Sequence, residues 1–254
     1  MRAIIIGAGR GKRLEHFTDE IPKTLVTVMG RPILDFILDA LAEGGFDRKD
    51  VVFICGYGAR VVRERYPDLT FVENRDWESN NILSSLFMAR DHMKDGFLSS
   101  YADIIYRGSI VSSLMAAPGD KVLGCDTDWL RRYARRTRHP ENDAEKIRAD
   151  GRRVIEVSRK IPPAEAAGEF IGVAKFTREG AAELASAFDR ADARCKGSVF
   201  RDGRAFERAY MIDLLQDMIE QGSTFHRADT HGGYMEIDTV EDHDLAPSWW
   251  PRTP

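Results

Sequence analysis

The sequence predicts an α/β fold in which a mostly parallel sheet carries helices on both faces. The first observation is a short apolar run, Ala3 to Ile6, that stops at a glycine-rich loop, as a buried parallel strand does. The second is the alternation of helical and extended patterns that follows it. The third is size, since α/β units of 254 residues often form one domain. We therefore expect a single domain over residues 1–254.

Composition and charge argue against several classes of protein. The chain has 37 basic and 41 acidic residues and a net charge of −4, which argues against a nucleic-acid binder driven by overall charge. Cys55, Cys125 and Cys195 form no CxxC pair, so we expect buried thiols in a reducing cytoplasm. Apolar runs stay shorter than the roughly 18 residues of a membrane span. The apolar start is too short for a signal peptide, so we expect a cytoplasmic protein without a membrane partner.

The remaining elements follow from hydrophobic spacing. Helical patterns end at glycine or turn residues, and apolar or alternating runs between them indicate strands. In chain order we predict a helix over 32–44, strands or extended segments over 51–55 and 70–72 with a helix over 57–66 between them, strands over 97–101, 121–125, 153–161 and 169–177, and helices over 178–191 and 206–221.

The loop GAGRGKRL, residues 7–14, can hold the phosphates of a nucleotide. Its glycines let the backbone turn closely and present N–H groups to an anion, and its basic side chains place positive charge nearby. The residues that we expect to bind the nucleotide here are Gly7, Ala8, Gly9, Gly11 and Lys12.

Two common phosphate loops do not fit this stretch. A Walker A loop needs a glycine at position 6 and Ser or Thr after the lysine, but the chain has Ile6 and Arg13. A dinucleotide fingerprint needs a glycine where Lys12 stands, and the next strand ends in GYG without an acid to hold a ribose. Both interpretations therefore fail on their residues.

Three motifs in order carry a family resemblance: GAGRGKRL, then PKTL at 22–25, then GRPIL at 30–34. The series resembles the nucleotidyltransferases that activate sugar phosphates, phosphocholine and related compounds, and most of all the cytidylyltransferases for phosphocholine and phosphonates. The resemblance implies a single Rossmann-like domain with a mixed, mostly parallel sheet, like the nucleotide-diphospho-sugar transferases. The family usually has Ser or Thr before the arginine of the loop, where this chain has Lys12.

Three basic residues are candidates for catalysis. The planar donor fork of Arg13 can grip a triphosphate, and Lys23 can act as a mobile charge near the phosphorus under attack. Lys160, in the segment SRKIP, stands where the resemblance implies a lysine that contacts the phosphate of the acceptor. The alternative interpretation is that Arg13 and Lys23 are solvated loop charges.

The segment NRDWESNNILSSL, residues 74–86, lies where the resemblance implies a base-reading loop. It looks like the variant in cytidylyltransferases for phosphocholine and similar acceptors, and an amide can match the edge of a pyrimidine. Asn81 and Ser85 are therefore candidate nucleotide contacts. The alternative is that these residues merely cap the helix that follows.

Two distant acidic motifs predict a metal site. Asp103 follows a central strand, where a carboxylate points into the ligand crevice of an open α/β sheet. In GYMEIDTVED the alternation places Glu236 and Asp238 on one face of a strand. The resemblance implies that Asp103 and Asp238 hold the catalytic Mg²⁺, with Glu236 as a neighbour. Converging carboxylates suit this oxygen-preferring ion.

A charged insertion is predicted at about residues 126–148, where six arginines lie close together. Such a run could bind RNA, but clustered charge is more often a solvated segment, and stacking aromatics are not interleaved with it. We expect it to close over the active site as part of an acceptor-side subregion. Trp129 and Tyr133 could pack against an alkylammonium or simply pin the insertion. The resemblance also makes Glu169 a candidate contact for an amine of the acceptor.

The function implied is transfer of CMP from CTP to a phosphate or phosphonate oxygen, with release of pyrophosphate. The expected acceptor is a small molecule such as phosphocholine or 2-aminoethylphosphonate, and a homodimer stays open. One rival is a sugar-1-phosphate or inositol-phosphate nucleotidyltransferase of the same fold. The other is a non-catalytic nucleotide-binding protein, which would have lost a residue such as Lys23, Asp103 or Asp238, and all three are present.

Overall fold

A computed structural model describes residues 1–195 and 198–250 and has the expected α/β architecture. The strands are β1 Arg2–Gly7, β2 Thr27–Val28, β3 Arg31–Pro32, β4 Val51–Cys55, β5 Thr70–Glu73, β6 Phe97–Tyr101, β7 Ile104–Tyr106, β8 Lys121–Asp126, β9 Lys146–Asp150, β10 Arg153–Ser158, β11 Gly168–Phe176, β12 Phe225–Thr230 and β13 Tyr234–Glu236. The α-helices are α1 Ile33–Glu43, α2 Ala59–Arg65, α3 Ile82–Met88, α4 Gly108–Ala116, α5 Trp129–Tyr133, α6 Arg178–Cys195, α7 Met211–Glu220 and α8 Val240–Trp249. Among the described residues, no helix has the length and apolar character to cross a membrane.

One nine-stranded mixed sheet forms the centre of the molecule, in the order β5-β4-β1-β6-β11-β8-β12-β10-β9. Strands β5, β4, β1 and β6 run parallel, and β12 runs parallel to β8. Strand β11 lies antiparallel between β6 and β8, and β10 is antiparallel to both of its neighbours. The mixed, mostly parallel sheet expected from the sequence is confirmed.

The core lies on both faces of this sheet, as the alternation along β1 requires. Ile5 packs in a cluster with residues of α1 and α4 on one face. Ile4 packs in a second cluster with residues of α3, α6 and α7 on the other face. The carboxyl end of β1 therefore opens between two helix layers, where ligands of α/β sheets bind.

Two predicted elements differ from those observed. All nine residues of β11 are buried, although its sequence alternates, because the strand has neighbours on both edges and is covered on both faces. The helix predicted over 206–221 begins not at position 206 but at Met211, where the Asp213 side chain accepts from the N–H of Tyr210 at 2.7 Å. Residues 206–208 form a separate 3₁₀ turn before it.

The insertion runs between the end of β8 and the start of β9 and contains α5. It has a small core of its own, in which Trp129 and Tyr133 pack with Ala144. The expectation of a solvated segment is wrong for two of its arginines, since Arg132 is 4% exposed and Arg136 is 9% exposed. Both are buried because they contact buried carboxylates, which offset the loss of hydration.

Candidate active site

The glycine-rich loop leaves β1 at Gly7 and passes directly over Lys23. Gly11 has φ +78°, and a Cβ atom built on it would lie 2.7 Å from Cβ of Lys23. Only glycine fits such a left-handed position and such a close approach. Arg10 turns away from the cleft, since its Nε donates to the carbonyl of Thr18 at 3.0 Å and its Nη2 to Asp19 at 2.7 Å.

A cleft of about 410 Å³ opens beside this loop, and we call it the donor cleft. It is lined by all seven of the predicted nucleotide-binding residues together with Arg13, Lys23, Asp103 and Asp238. Trp77 and Asn80 also line it, and we did not predict them as contacts. Their position in the segment 74–86, the expected base-reading loop, was the sequence signal that could have identified both residues. The members of the predicted set are Gly7, Ala8, Gly9, Gly11, Lys12, Asn81 and Ser85.

Asn81 and Ser85 also have structural roles within the cleft wall. The Asn81 side chain accepts from the N–H of Ile82 at 2.9 Å, which caps α3, and donates to the carbonyl of Arg208 at 3.1 Å. Ser85 accepts from Asn74 at 2.9 Å. The capping interpretation is therefore correct for Asn81, and the same side chain still faces the cleft.

The two acidic motifs meet because β7 and β13 pair antiparallel, with Glu236 opposite Ile104. The N–H of Ile237 donates to the carbonyl of Asp103 at 2.9 Å, which continues this ribbon past the strand ends. The alternation in the sequence predicted that Asp238 lies on a strand. This prediction is wrong, because β13 ends at Glu236 and Asp238 lies just after it. The ribbon still carries Asp238 into the donor cleft beside Asp103.

Lys23 links the two aspartates. Its Nζ donates to Asp103 Oδ2 at 2.9 Å and to Asp238 Oδ1 at 2.5 Å, and Arg13 contacts the other oxygen of Asp238. Burial works against the Lys23 ammonium, but the charges of Asp103 and Asp238 outweigh it and raise the pKa of Lys23. Burial likewise works against the Asp238 carboxylate, and Lys23 and Arg13 hold its pKa below the ordinary value. Lys23 and Asp238 thus keep their charges at neutral pH.

The oxygen donors in this cluster fit a hard divalent cation. Asp103 Oδ1 is buried and has no hydrogen-bond partner among the described residues, which is costly for a carboxylate unless a cation or ligand completes it. Asp103 and Asp238 would hold such an ion, because Mg²⁺ prefers carboxylate oxygens. Glu236 is close by, and the charge of Asp238 adds to burial in raising the pKa of Glu236.

A second cavity of about 320 Å³ adjoins the donor cleft. The two spaces share Arg13, Asn81, Ile82 and Asp103, so they meet at the candidate metal site. The remaining lining residues are mostly acidic or aromatic: Tyr101, Asp143, Glu145, Arg159, Glu169, Phe170, Tyr210, Tyr234 and Glu236. Donor and acceptor could therefore be held on opposite sides of Asp103.

The expectation for Lys160 needs correction. Its ammonium contacts Asp202, its side chain is 74% exposed, and it lines neither the donor cleft nor the second cavity. The preceding residue, Arg159, lines the second cavity instead. The chain turns after Ser158, at the end of β10, and this turn directs Arg159 inward and Lys160 outward.

Arg159 combines a fixed position with an open donor. Its Nη2 donates to Glu145 at 3.1 Å, and the guanidinium lies 4.3 Å from the centre of the Tyr210 ring. Its Nε is buried and has no hydrogen-bond partner among the described residues. The guanidinium lines the second cavity and can attract an anion there, because guanidinium binds carboxylate and phosphate strongly. The sequence signal was the basic pair Arg159 and Lys160 in SRKIP, of which Lys160 was predicted as the contact.

The three predicted acceptor contacts, Trp129, Tyr133 and Glu169, form part of the insertion's support. Trp129 and Tyr133 are buried and line neither cavity, so the pinning interpretation describes them. Glu169 lines the second cavity, but it accepts from the Tyr133 hydroxyl at 2.6 Å and contacts Arg132. Both of its oxygens are therefore already occupied by partners from the insertion.

Comparison with known proteins identifies the family. The model of the MobA-like NTP transferase domain matches residues 3–161, a span that contains the glycine-rich loop, Lys23, Asp103 and Arg159. The chain belongs to this family. It is a nucleotidyltransferase, as the three motifs at its start predicted.

Three of the curated relatives are cytidylyltransferases. The CTP:phosphoglutamine cytidylyltransferase of Campylobacter jejuni is 28% identical over 96% of this chain and 98% of its own length. The choline-phosphate cytidylyltransferase of Streptococcus pneumoniae is 22% identical over 96% and 95%. The 2-aminoethylphosphonate cytidylyltransferase of Lancefieldella rimae is 36% identical, but over only 37% of this chain and 39% of its own.

Solved structures share the whole fold. The CTP:phosphocholine cytidylyltransferase of Streptococcus pneumoniae has a TM-score of 0.71 at 21% identity, and the match covers 97% of both chains. The inositol-1-phosphate CTP transferase of T. maritima has a TM-score of 0.73 at 19% identity and covers 100% of this chain and 97% of the other. At these identities the likeness establishes the nucleotidyltransferase fold.

Proposed function

We propose that the enzyme transfers CMP from CTP to a small phosphorylated amine or phosphonate and releases pyrophosphate. The observation that carries this proposal is the junction of the two cavities at Asp103 and Arg13. A nucleotide in the donor cleft would place its phosphates at the glycine-rich loop. An acceptor in the second cavity would then approach from the side of Arg159.

The choice of CTP rests on the donor cleft and on the relatives. Trp77, Asn80 and Asn81 line one end of the cleft, where a ring and amides can receive a base. The two cytidylyltransferases that match along 96% of this chain are named for nitrogen-containing acceptors, phosphoglutamine and choline phosphate. These names support a cytidylyl donor here.

The second cavity suits an acceptor that carries both a positively charged amine and a negatively charged group. Asp143, Glu145 and Glu236 supply carboxylates, and aromatic rings line the same space, a combination that attracts an ammonium group. Arg159 supplies the opposite charge for a phosphate, phosphonate or carboxylate. An acceptor with an amine at one end and an anionic group at the other would match this arrangement.

Catalysis needs alignment and charge neutralisation more than a base, because the acceptor oxygen is already an anion. Mg²⁺ held by Asp103 and Asp238 would act as a Lewis acid that offsets the charge of the phosphates. Lys23 and Arg13 lie against the same carboxylates and can turn to the transferring group. Their positive charges would stabilise the transition state, and the walls of the two cavities would align the reactants.

The test is a panel assay of pyrophosphate release. Each of CTP, UTP, dTTP, ATP and GTP is combined with phosphocholine, 2-aminoethylphosphonate, phosphoglutamine, glucose 1-phosphate and inositol 1-phosphate, with Mg²⁺ present. We expect release only with CTP and a nitrogen-containing acceptor. Release confined to UTP or dTTP with a sugar phosphate would contradict the proposal.

The second candidate is an inositol-phosphate cytidylyltransferase, because a CTP transferase for inositol 1-phosphate shares the fold over this entire chain. Carboxylates also accept hydrogen bonds from the hydroxyl groups of a polyol, so the acidic lining of the second cavity is compatible with this acceptor too, and the panel assay separates the two candidates. Turnover of CTP with inositol 1-phosphate alone would support this candidate over the first.

A further inference from the structure

His139 is a buried histidine of the insertion that faces the acidic end of β13. Its side chain is 2% exposed, and its Nε2 lies 3.4 Å from Glu236 Oε2. One ligand atom each from His139, Glu236 and Asp238 lies within 4.8 Å of the others. An octahedral ion with bonds of about 2.1 Å holds neighbouring ligand atoms about 3 Å apart and opposite ones about 4 Å apart. A small contraction would bring all three groups onto one ion.

The orientation of the imidazole matches that of a metal ligand. Nδ1 lies 3.4 Å from Asp242 Oδ2 and can donate to it, which leaves Nε2 toward Glu236 and Asp238. Metal-binding histidines are commonly fixed in this way by a carboxylate on the other ring nitrogen. Asp242 is rigid enough for the task, because Thr239 donates to it through N at 2.8 Å and through Oγ1 at 3.0 Å.

His139 is not explained as a counter-ion for Asp242. That carboxylate already has Arg136 Nε at 2.8 Å and the donors of Thr239, so its charge and lone pairs have partners without the imidazole. Tyr133 packs edge-on against the His139 ring at 5.7 Å and offers it no charge. The second nitrogen of the ring, Nε2, faces carboxylates, which is the arrangement expected around a cation.

We propose that His139, Glu236 and Asp238 form a divalent-cation site with one nitrogen ligand, next to the oxygen-only position between Asp103 and Asp238. Mg²⁺ favours oxygen ligands, whereas an imidazole favours transition ions, so this site should prefer Mn²⁺ or Zn²⁺ to Mg²⁺. The inference deepens the proposed function, because Asp238 belongs to both positions. An ion here would also tie the insertion to the segment after β13.

Hydrogen bonds already attach the insertion to the segment around Glu236 and Glu241, so an ion would stabilise an existing contact. Arg136 Nη2 donates to the carbonyl of Glu236 at 2.8 Å, and the N–H groups of Thr137 and Arg138 both donate to Glu241 at 2.8 Å. His139 follows these residues directly. Its position is therefore set by the backbone before any ion arrives.

The experiment measures Mn²⁺ binding to the full chain after removal of metals, without CTP or acceptor. Pulsed electron paramagnetic resonance should show coupling between bound Mn²⁺ and a ¹⁴N nucleus. His139→Gln should abolish that coupling and weaken Mn²⁺ binding about tenfold or more, with a smaller effect on Mg²⁺. His92→Gln is the matched control and should retain the coupling, since His92 lines neither cavity.

A crystal structure with Mn²⁺ provides a second measurement that needs no variant. We expect an anomalous peak within about 2.3 Å of His139 Nε2. Wild-type protein without ¹⁴N coupling, or a peak held by Asp103 and Asp238 alone, would overturn the inference. Because no substrate is present, this result is separate from turnover: CTP transfer without nitrogen coupling would refute only the histidine ligand, and nitrogen coupling without transfer would refute only the proposed function.

Discussion

Lys23 occupies the centre of the active site, between the carboxylates of Asp103 and Asp238. A buried ammonium costs hydration energy, and these two charges compensate for it. If a cation occupied these carboxylates, the Lys23 ammonium would be free to contact the phosphates of a bound nucleotide. Lys23 would then have a partner with and without substrates.

Replacing Lys23 with Met should lower kcat about 100-fold to 1,000-fold, because a charge aimed at the transferring group is lost. The measurement is steady-state pyrophosphate release, with circular dichroism to verify folding. Lys160→Met is the matched control and should change the rate by less than about twofold, since that side chain is in an exposed ion pair. Equal losses in both variants would contradict this assignment.

Arg159 should decide how well the acceptor binds. In Arg159→Met we expect the KM for the acceptor to rise about tenfold to 100-fold, because a charge-assisted hydrogen bond to the acceptor is lost. The KM for CTP should change little, since Arg159 does not line the donor cleft. Lys160→Met again serves as the neighbouring control. A rise in the KM for CTP alone would place Arg159 on the wrong side of the site.

Single residues were predictable where a motif fixed their position. The glycine-rich loop, Lys23 and the two aspartates line one cleft, as the sequence indicated, although Asp238 lies after its strand and not on it. The sequence predicted Lys160 as the acceptor contact in place of Arg159. The two residues lie in a turn after β10, and the direction of a side chain in a turn does not follow from the alternation of a strand. His139 had no signal, since its carboxylate partners are about a hundred positions away along the chain.

At the scale of elements, the insertion is attached to the domain by a buried ion cluster. Arg132 contacts both Asp126 and Glu169, and all three are buried. A helical stripe in the sequence could have revealed this, because Trp129, Arg132, Tyr133 and Arg136 recur at helical spacing and are all buried. The high density of charged residues favoured a solvated segment instead, so the stripe was not recognised as a buried face.

Arg132→Met should destabilise the protein by about 3 to 5 kcal/mol, because it leaves buried carboxylates without their cation. The adjacent Arg131, whose side chain is 70% exposed, is the matched control, and Arg131→Met should cost less than about 0.5 kcal/mol. Urea unfolding measures both. Similar midpoints for the two variants would show that the buried cluster contributes no net stability.

At the scale of the whole molecule, one sheet and two core layers bring distant segments to a single site. The class and the order of elements could be read from the sequence, because periodicity and glycine punctuation are local signals. The pairing of β7 with β13 could not, since each strand has only three residues and their contact depends on the complete fold. That pairing is what brings Asp238 to Asp103.

The cysteines report on this global fold, because Cys55, Cys125 and Cys195 are all buried. Burial raises the pKa of the Cys125 thiol to about 12, so at pH 8 it is almost entirely the unreactive thiol. We expect alkylation of Cys125 by iodoacetamide to be slow in the native protein and fast in urea, as mass spectrometry can follow. Rapid native alkylation at pH 8 would contradict the burial.

The proposed function requires Asp103 to act as a metal ligand for CMP transfer between the two cavities. Its most direct test follows ³²P from the α-phosphate of CTP into product, with Mg²⁺ and the best acceptor of the panel, in wild-type protein and in Asp103→Asn. We expect labelled CMP-acceptor product from the wild type and a loss of at least about 100-fold in a variant that remains folded. Near-normal transfer by Asp103→Asn would contradict it.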